Sequence, residues 1–164
     1  MNWSSSTLTV CLLGAVTFVS AQEEIVFSQA GDWQILRASS VKNECYMQRN
    51  FENGTVVRVG LFAETGNGFF SAMSREWTHI DENAEAEVFF DFGSDLFSGI
   101  VKSFEEDGYL GGYAFFNNPE FVAALSAKTS LRIDGRRNFP IHVDLKGTSR
   151  AIRDVQRCLK ESDG

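Results

Sequence analysis

The sequence predicts a mainly β, single antiparallel domain of sandwich-like build, with a short helix near residues 119–127 and a C-terminal helix near 149–160. Three observations carry this reading. From Gly31 onward, turn residues recur about every ten positions, the spacing of a multi-stranded antiparallel sheet or sandwich. Between the turns apolar and polar side chains alternate: Phe139, Ile141, Val143 and Leu145 are interleaved with Pro140, His142 and Asp144, the period of two that a half-buried strand requires. After Gly147 the period changes. Ala151, Ile152, Val155, Cys158 and Leu159 fall on one face of a helix, while Arg150, Arg153, Asp154, Arg157 and Lys160 fall on the other.

Taken in order, the chain opens on a stretch that reads as an export signal. Leu8 to Phe18 is a short apolar run, and Val19-Ser20-Ala21 places small residues where signal peptidase cleaves, so residues 1–21 are expected to be removed and 22–164 to form one β-rich domain. The run is too short to span a membrane as a helix. Trp33–Arg37 and Glu44–Phe51 read as the first strands, and Asn53-Gly54 as a hairpin turn, because both residues tolerate positive φ. Thr55–Ala63, Phe69–Met73, Glu87–Phe92, Leu96–Phe104 and Tyr109–Phe116 follow as strands, separated by glycine- and acid-rich turns. Asn118-Pro119-Glu120 supplies a cap, a proline at the first helical position and an acid in the first turn. A hairpin then runs from Ser130 to Ile133, through Asp134-Gly135, into the strand at 139–145, and Thr148 or Ser149 suits the start of the last helix.

Phe69-Phe70, Phe89-Phe90 and Phe115-Phe116 are doublets inside strands. Neighbours on a strand point to opposite faces, so each doublet asks for apolar cover on both sides of its sheet. The C-terminal helix or a long loop is the simpler cover, and a partner surface the alternative.

The formal net charge is −7, and residues 1–21 contribute no charged side chain, so the acid excess belongs to the domain. This disfavours nucleic acid and anionic lipid as partners and favours a basic protein. Of three cysteines, export would remove Cys11 and leave Cys45 and Cys158 in an oxidising compartment. A disulfide between them is the expectation, with two buried free thiols as the alternative.

Residues for catalysis are sparse. There is no GxSxG elbow, and the chain has only two histidines. His142 lies on the polar side of its strand, and His79 sits in an irregular stretch beside Trp77 and Asp81, where it is the one candidate for a hydrolase. Neither CxxC nor HExxH occurs. Asp81, Asn83 and Glu85 have the spacing of the first ligands of an EF-hand, but Ala86 and Phe92 stand where the loop needs glycine and glutamate. No catalytic, cofactor-binding or metal-ligating residue is assigned.

The chain resembles the invasion-associated locus B family of exported alphaproteobacterial proteins. The likeness rests on Gly31-Asp32-Trp33-Gln34-Ile35, on Glu44-Cys45-Tyr46-Met47-Gln48, and on Phe121 to Lys128 leading to Leu131 and then Val143-Asp144-Leu145-Lys146-Gly147. It implies a compact, sandwich-like periplasmic or envelope protein with no catalytic residues to carry over. Leu36-Arg37 and Gly111-Gly112 stand where the family has cysteines, so its disulfide pattern is not transferred, nor is its association with host-cell invasion.

The function expected is that of an exported, non-enzymatic binding or envelope-accessory protein, acting on a protein partner or on a second copy through its Phe-rich strands and acidic loops. Inhibition of a basic secreted enzyme such as lysozyme is the alternative, and hydrolysis through His79 a third reading. No cofactor is implied.

Overall fold

Alternation decides which side of each strand is buried, and the buried side is continuous from one end of the molecule to the other. The computed structural model describes residues 24–38, 44–62, 67–78, 80–81, 83–135 and 140–162, and the signal reading for residues 1–21 lies outside them. In chain order the elements are β1 (Glu24–Ala30), β2 (Trp33–Ala38), β3 (Cys45–Asn50), β4 (Thr55–Leu61), β5 (Gly68–Ser74), β6 (Glu85–Asp91), β7 (Leu96–Glu106), β8 (Tyr109–Phe116), α1 (Pro119–Ala127), β9 (Ser130–Gly135), β10 (Ile141–Asp144) and α2 (Thr148–Ser162). They form a ten-stranded sheet in the spatial order β1-β2-β3-β4-β5-β8-β7-β6-β9-β10. All its pairings are antiparallel.

The sheet is curled, so its two halves face each other as the layers of a sandwich would. Phe70 on β5 and Phe90 on β6 stand three places apart in the strand order, which in a flat sheet means roughly 14 Å. Their ring centroids are 5.6 Å apart. The two ends also meet: Arg49, at the end of β3, bonds the backbone carbonyl of Asp144 on β10 at 2.9 Å and forms ion pairs with the Asp144 and Asp32 carboxylates. Trp33 on β2 is fully buried and donates its indole N–H to the carbonyl of Lys146, 3.1 Å away. Gly147 follows at φ +92°, and a Cβ there would stand 3.2 Å from the carbonyl oxygen of Ala30. The ends are thus joined by side chains and by the turn before α2 rather than by a backbone ladder.

Helices close the inner face. α2 packs on β1, β2, β3 and β4, burying Ala151, Ile152, Val155, Cys158 and Leu159, the stripe read from the sequence. Cys158 is bonded to Cys45 on β3, with their Cα atoms 6.1 Å apart, inside the range a disulfide spans. α1 begins as its sequence requires, with the Asn118 side chain accepting from the backbone N–H of Glu120 at 2.9 Å. From α1, Phe121 enters a cage of rings and makes edge contacts with Phe90, Phe92 and Phe97 and a tilted one with Phe116. Such pairs contribute beyond the area they bury.

Three local details differ from the sequence reading. Asp154, on the polar face of α2 by its spacing, is buried and accepts from the Ser28 hydroxyl at 3.2 Å. β1 was not expected; its register against β2 shifts between Val26 and Ser28, and this bulge breaks the alternation that would have marked the strand. Thr148 starts α2 buried, and its hydroxyl donates to the carbonyls of Leu125 and Leu145, tying the helix to α1 and to the end of β10 instead of capping the first turn.

Because the disulfide ties β3 to α2 across 113 positions, its removal should weaken the whole core. A Cys45→Ala, Cys158→Ala variant is expected to lose about 2–5 kcal/mol of stability, read by urea denaturation. An unchanged midpoint would mean that packing alone holds α2.

Candidate binding surface

The outer face of the sheet carries a row of apolar side chains that the register lines up from β1 to β8. Val26 stands opposite Leu36, Leu36 opposite Tyr46, Tyr46 opposite Gly60, Gly60 opposite Phe69 and Phe69 opposite Phe115. These residues project away from the core, because their chain neighbours Ile35, Cys45, Val59, Leu61, Phe70 and Ala114 belong to it. The rings interlock: Tyr46 with Phe69, Phe62 with both Phe69 and Phe115, and Tyr113 with Phe115 and Phe104. Gly60 makes the row possible, since a Cβ there would stand 2.1 Å from the Phe69 ring. The ring lies over the glycine backbone. Leu36, Tyr46 and Gly60 are buried in the middle of the row, Phe69 is half-buried, and the two ends are exposed, Val26 at 57% and Phe115 at 67%.

Beyond Phe115 the outer face stays apolar on β7 and β6, where Ile100 is 60%, Leu96 66% and Phe89 43% exposed. Neither α1 nor α2 covers these side chains, since both helices pack on the inner side. Of the three doublets, the inward members Phe70 and Phe90 are buried and Phe116 is half-buried against Phe121. The outward members Phe89 and Phe115 face solvent, so the helical cover expected from the sequence is absent there.

Charge frames this surface. The Tyr46 hydroxyl donates to the Glu24 carboxylate, and burial, with that acid beside it, pushes the phenol well above its ordinary pKa. One position along the strands, Arg58 bonds Gln48 at 2.7 Å and Glu106 at 2.8 Å and lies over the Tyr46 ring. Glu85, Glu87, Glu105 and Asp107 are exposed around the β6–β7 side. The exposed cations of α2, Arg150, Arg153, Arg157 and Lys160, lie on that helix's solvent face, and on the β6–β7–β9 side the acids outnumber Lys102 and Arg132.

An open groove of about 490 Å³ adjoins this surface beyond Leu96, whose cross-strand partner Asp91 lines it, among others, with Thr129, Ser130, Arg132, His142 and Asp144. His142 is exposed there, as alternation requires, and stands opposite Arg132 in the register. The Asp144 carboxyl is held below the usual range, first by the backbone N–H of Lys146 and then by Arg49, which makes it a structural acid fixed at the sheet end. No hydrogen bond or ion pair joins His142 to a nucleophile or an acid among the described residues. His79 lies outside them. Among the described residues no group of three or more His, Cys, Asp or Glu side chains could hold a metal ion, and no helix is long and apolar enough to cross a membrane. The backbone carbonyl of Asp81 accepts from the Ser103 hydroxyl and from the N–H of Ala84.

The aromatic row could not be read from the sequence as a unit, because its members come from strands far apart in the chain. The doublets were its only signal. No family model matches the chain, and no curated protein matches it. Among solved structures, the fold is similar to the crystal structure of invasion associated protein B from Bartonella henselae, with a TM-score of 0.56 over 81% of this chain and 97% of that chain. Identity is 16%, so the likeness is one of fold.

The contact between Gly60 and Phe69 gives the row a direct test. Gly60→Ala is expected to displace the ring and cost about 1–3 kcal/mol, the range for overpacking. In a Phe69→Ala background the same change should cost less than half as much, so the two effects do not add. Full additivity in urea denaturation would show that the ring does not rest on Gly60.

Proposed function

We propose that this chain is an exported, envelope-associated accessory protein that works by binding another protein and not by catalysis. The observation that carries the reading is the solvent-facing apolar surface formed by Phe69, Phe115, Ile100 and Leu96, which lies outside the core and under neither helix. Apolar patches of this kind on a folded protein mark places where a partner displaces water. The acidic rim selects a basic partner and adds attraction at a distance that salt screens. Export is supported by the signal pattern of residues 1–21, by the Cys45–Cys158 bond, which suits an oxidising compartment, and by the fold shared with an invasion associated protein.

One alternative has its own support. The net charge of −7 would also suit capture of a basic secreted enzyme such as lysozyme, with inhibition as the outcome. Both readings use the same face; they part on whether the partner is an enzyme that loses activity when bound.

The test is capture from an envelope extract with the wild-type protein and with Phe115→Glu. Phe115 is 67% exposed and touches only the Phe62 and Tyr113 rings among the aromatic contacts of the described residues, so the substitution should cost about 0.5–1.5 kcal/mol and leave the protein folded. Capture is expected to fall by about tenfold or more, and wild-type capture to weaken as salt rises. Equal capture by a folded Phe115→Glu protein would move the binding site off this face.

A further inference from the structure

The backbone beside the aromatic row is open. β7 pairs with β8 only from Lys102 to Glu106, and with β6 from Leu96 to Lys102. Leu96–Val101 therefore has a ladder on one side alone, and among the described residues no other backbone hydrogen bond reaches it. The cause lies in the next element. Past Tyr113 the chain of β8 leads to Asn118 and into α1, whose Phe121 stands between Phe97 on β7 and Phe116 on β8, with centroids 5.4 and 5.0 Å away. The ring wedges the two strands apart on the inner side.

Free edges are normally guarded, and the sheet's two outer edges are. β1 has a bulge between Val26 and Ser28, and β10 is a four-residue strand bearing His142 and Asp144. The stretch Leu96–Val101 reads LFSGIV: it has no charge, no proline and no register shift against β6. A strand with one satisfied edge, one open edge and no guard is a template for a further strand.

We infer that the open edge of β7, Leu96–Val101, is a strand-addition site for an extended, basic segment of the partner protein. The inference rests on the binding reading above and specifies its mode. An extended chain is the occupant that can satisfy a row of unpaired backbone groups, and its outward side chains would lie against Ile100 and Phe115. Inward positions would meet the Phe97–Phe121–Phe116 rings, so they must be small or apolar. Glu85, Glu87, Glu105 and Asp107 around the strand outnumber Lys102 at its end and ask for Lys or Arg in the segment. They also oppose a second copy, since pairing two β7 edges would bring these same acids together.

The experiment pans a display library of short random peptides against the oxidised protein and synthesises those enriched. Expected are peptides with alternating apolar residues, Lys or Arg at intervening positions and no internal proline. On binding, alternate backbone amides between Phe97 and Val101 should exchange about tenfold more slowly. N-methylation of every second peptide amide, which removes donors without touching the protein, should weaken binding by about tenfold or more. Ile100→Lys should weaken it to a similar extent. Strand addition is overturned by peptides that bind without protecting Phe97–Val101 or are indifferent to N-methylation, by a dimer that protects those amides on its own, or by a library that yields no binder. Loss of capture in Phe115→Glu would still stand in each case, so the two readings fail separately.

Discussion

Everything in this fold depends on how a single sheet hides one of its faces. A ten-stranded sheet with an apolar face on each side cannot be left flat in water, and curling solves the problem for one side only. The curl is fixed by α2, whose apolar stripe lies against β1–β4 and whose Cys158 is bonded to Cys45. Trp33, Gly147 and Arg49 then hold the strand ends to the turn that launches α2. With the inner face closed by both helices, no other described element lies over the outer one, and Phe115 at the end of the aromatic row is exposed.

The wedge at Phe121 links this packing to function. The same ring that completes the inner cage, touching Phe90, Phe92 and Phe97, also stands where β7 would otherwise continue its pairing with β8. Core closure on one side and an open backbone edge on the other are two consequences of one side chain placed by a well-capped helix. Exposed Phe115 and Ile100 sit beside that edge, so apolar surface and unpaired backbone occur together. Natural sheets usually avoid this combination, which is a physical reason to read it as a place for a partner.

Much of the fold was legible because it depends on near neighbours. Alternation marked β2 to β5 and β10; Asn118, Pro119 and Glu120 marked the start of α1; and the pairing of Cys45 with Cys158 followed from the expectation of export and from the number of cysteines it leaves. What could not be read depends on distant partners. The bulge in β1 removed its period, and the order β5-β8-β7-β6-β9 arises from long-range pairing that no local pattern records. The Phe doublets announced two-sided burial, yet only the register shows that Tyr46, Phe69 and Phe115 form one row, and that Gly60 is the space the Phe69 ring occupies. Thr148 and Ser149 both suit a cap by residue type, whereas a buried carbonyl of α1 claims the Thr148 hydroxyl.

The most direct measurement of whether the outer row is the working face is site-specific photocrosslinking in cells that produce the protein. A photoreactive phenylalanine is placed at Phe115 in one variant and at Gln156, on the solvent face of α2, in another. The expected result is a discrete partner adduct from position 115, lost in high salt, and none from position 156. Adducts from position 156 alone, or none from position 115 in a folded, oxidised protein, would contradict the account.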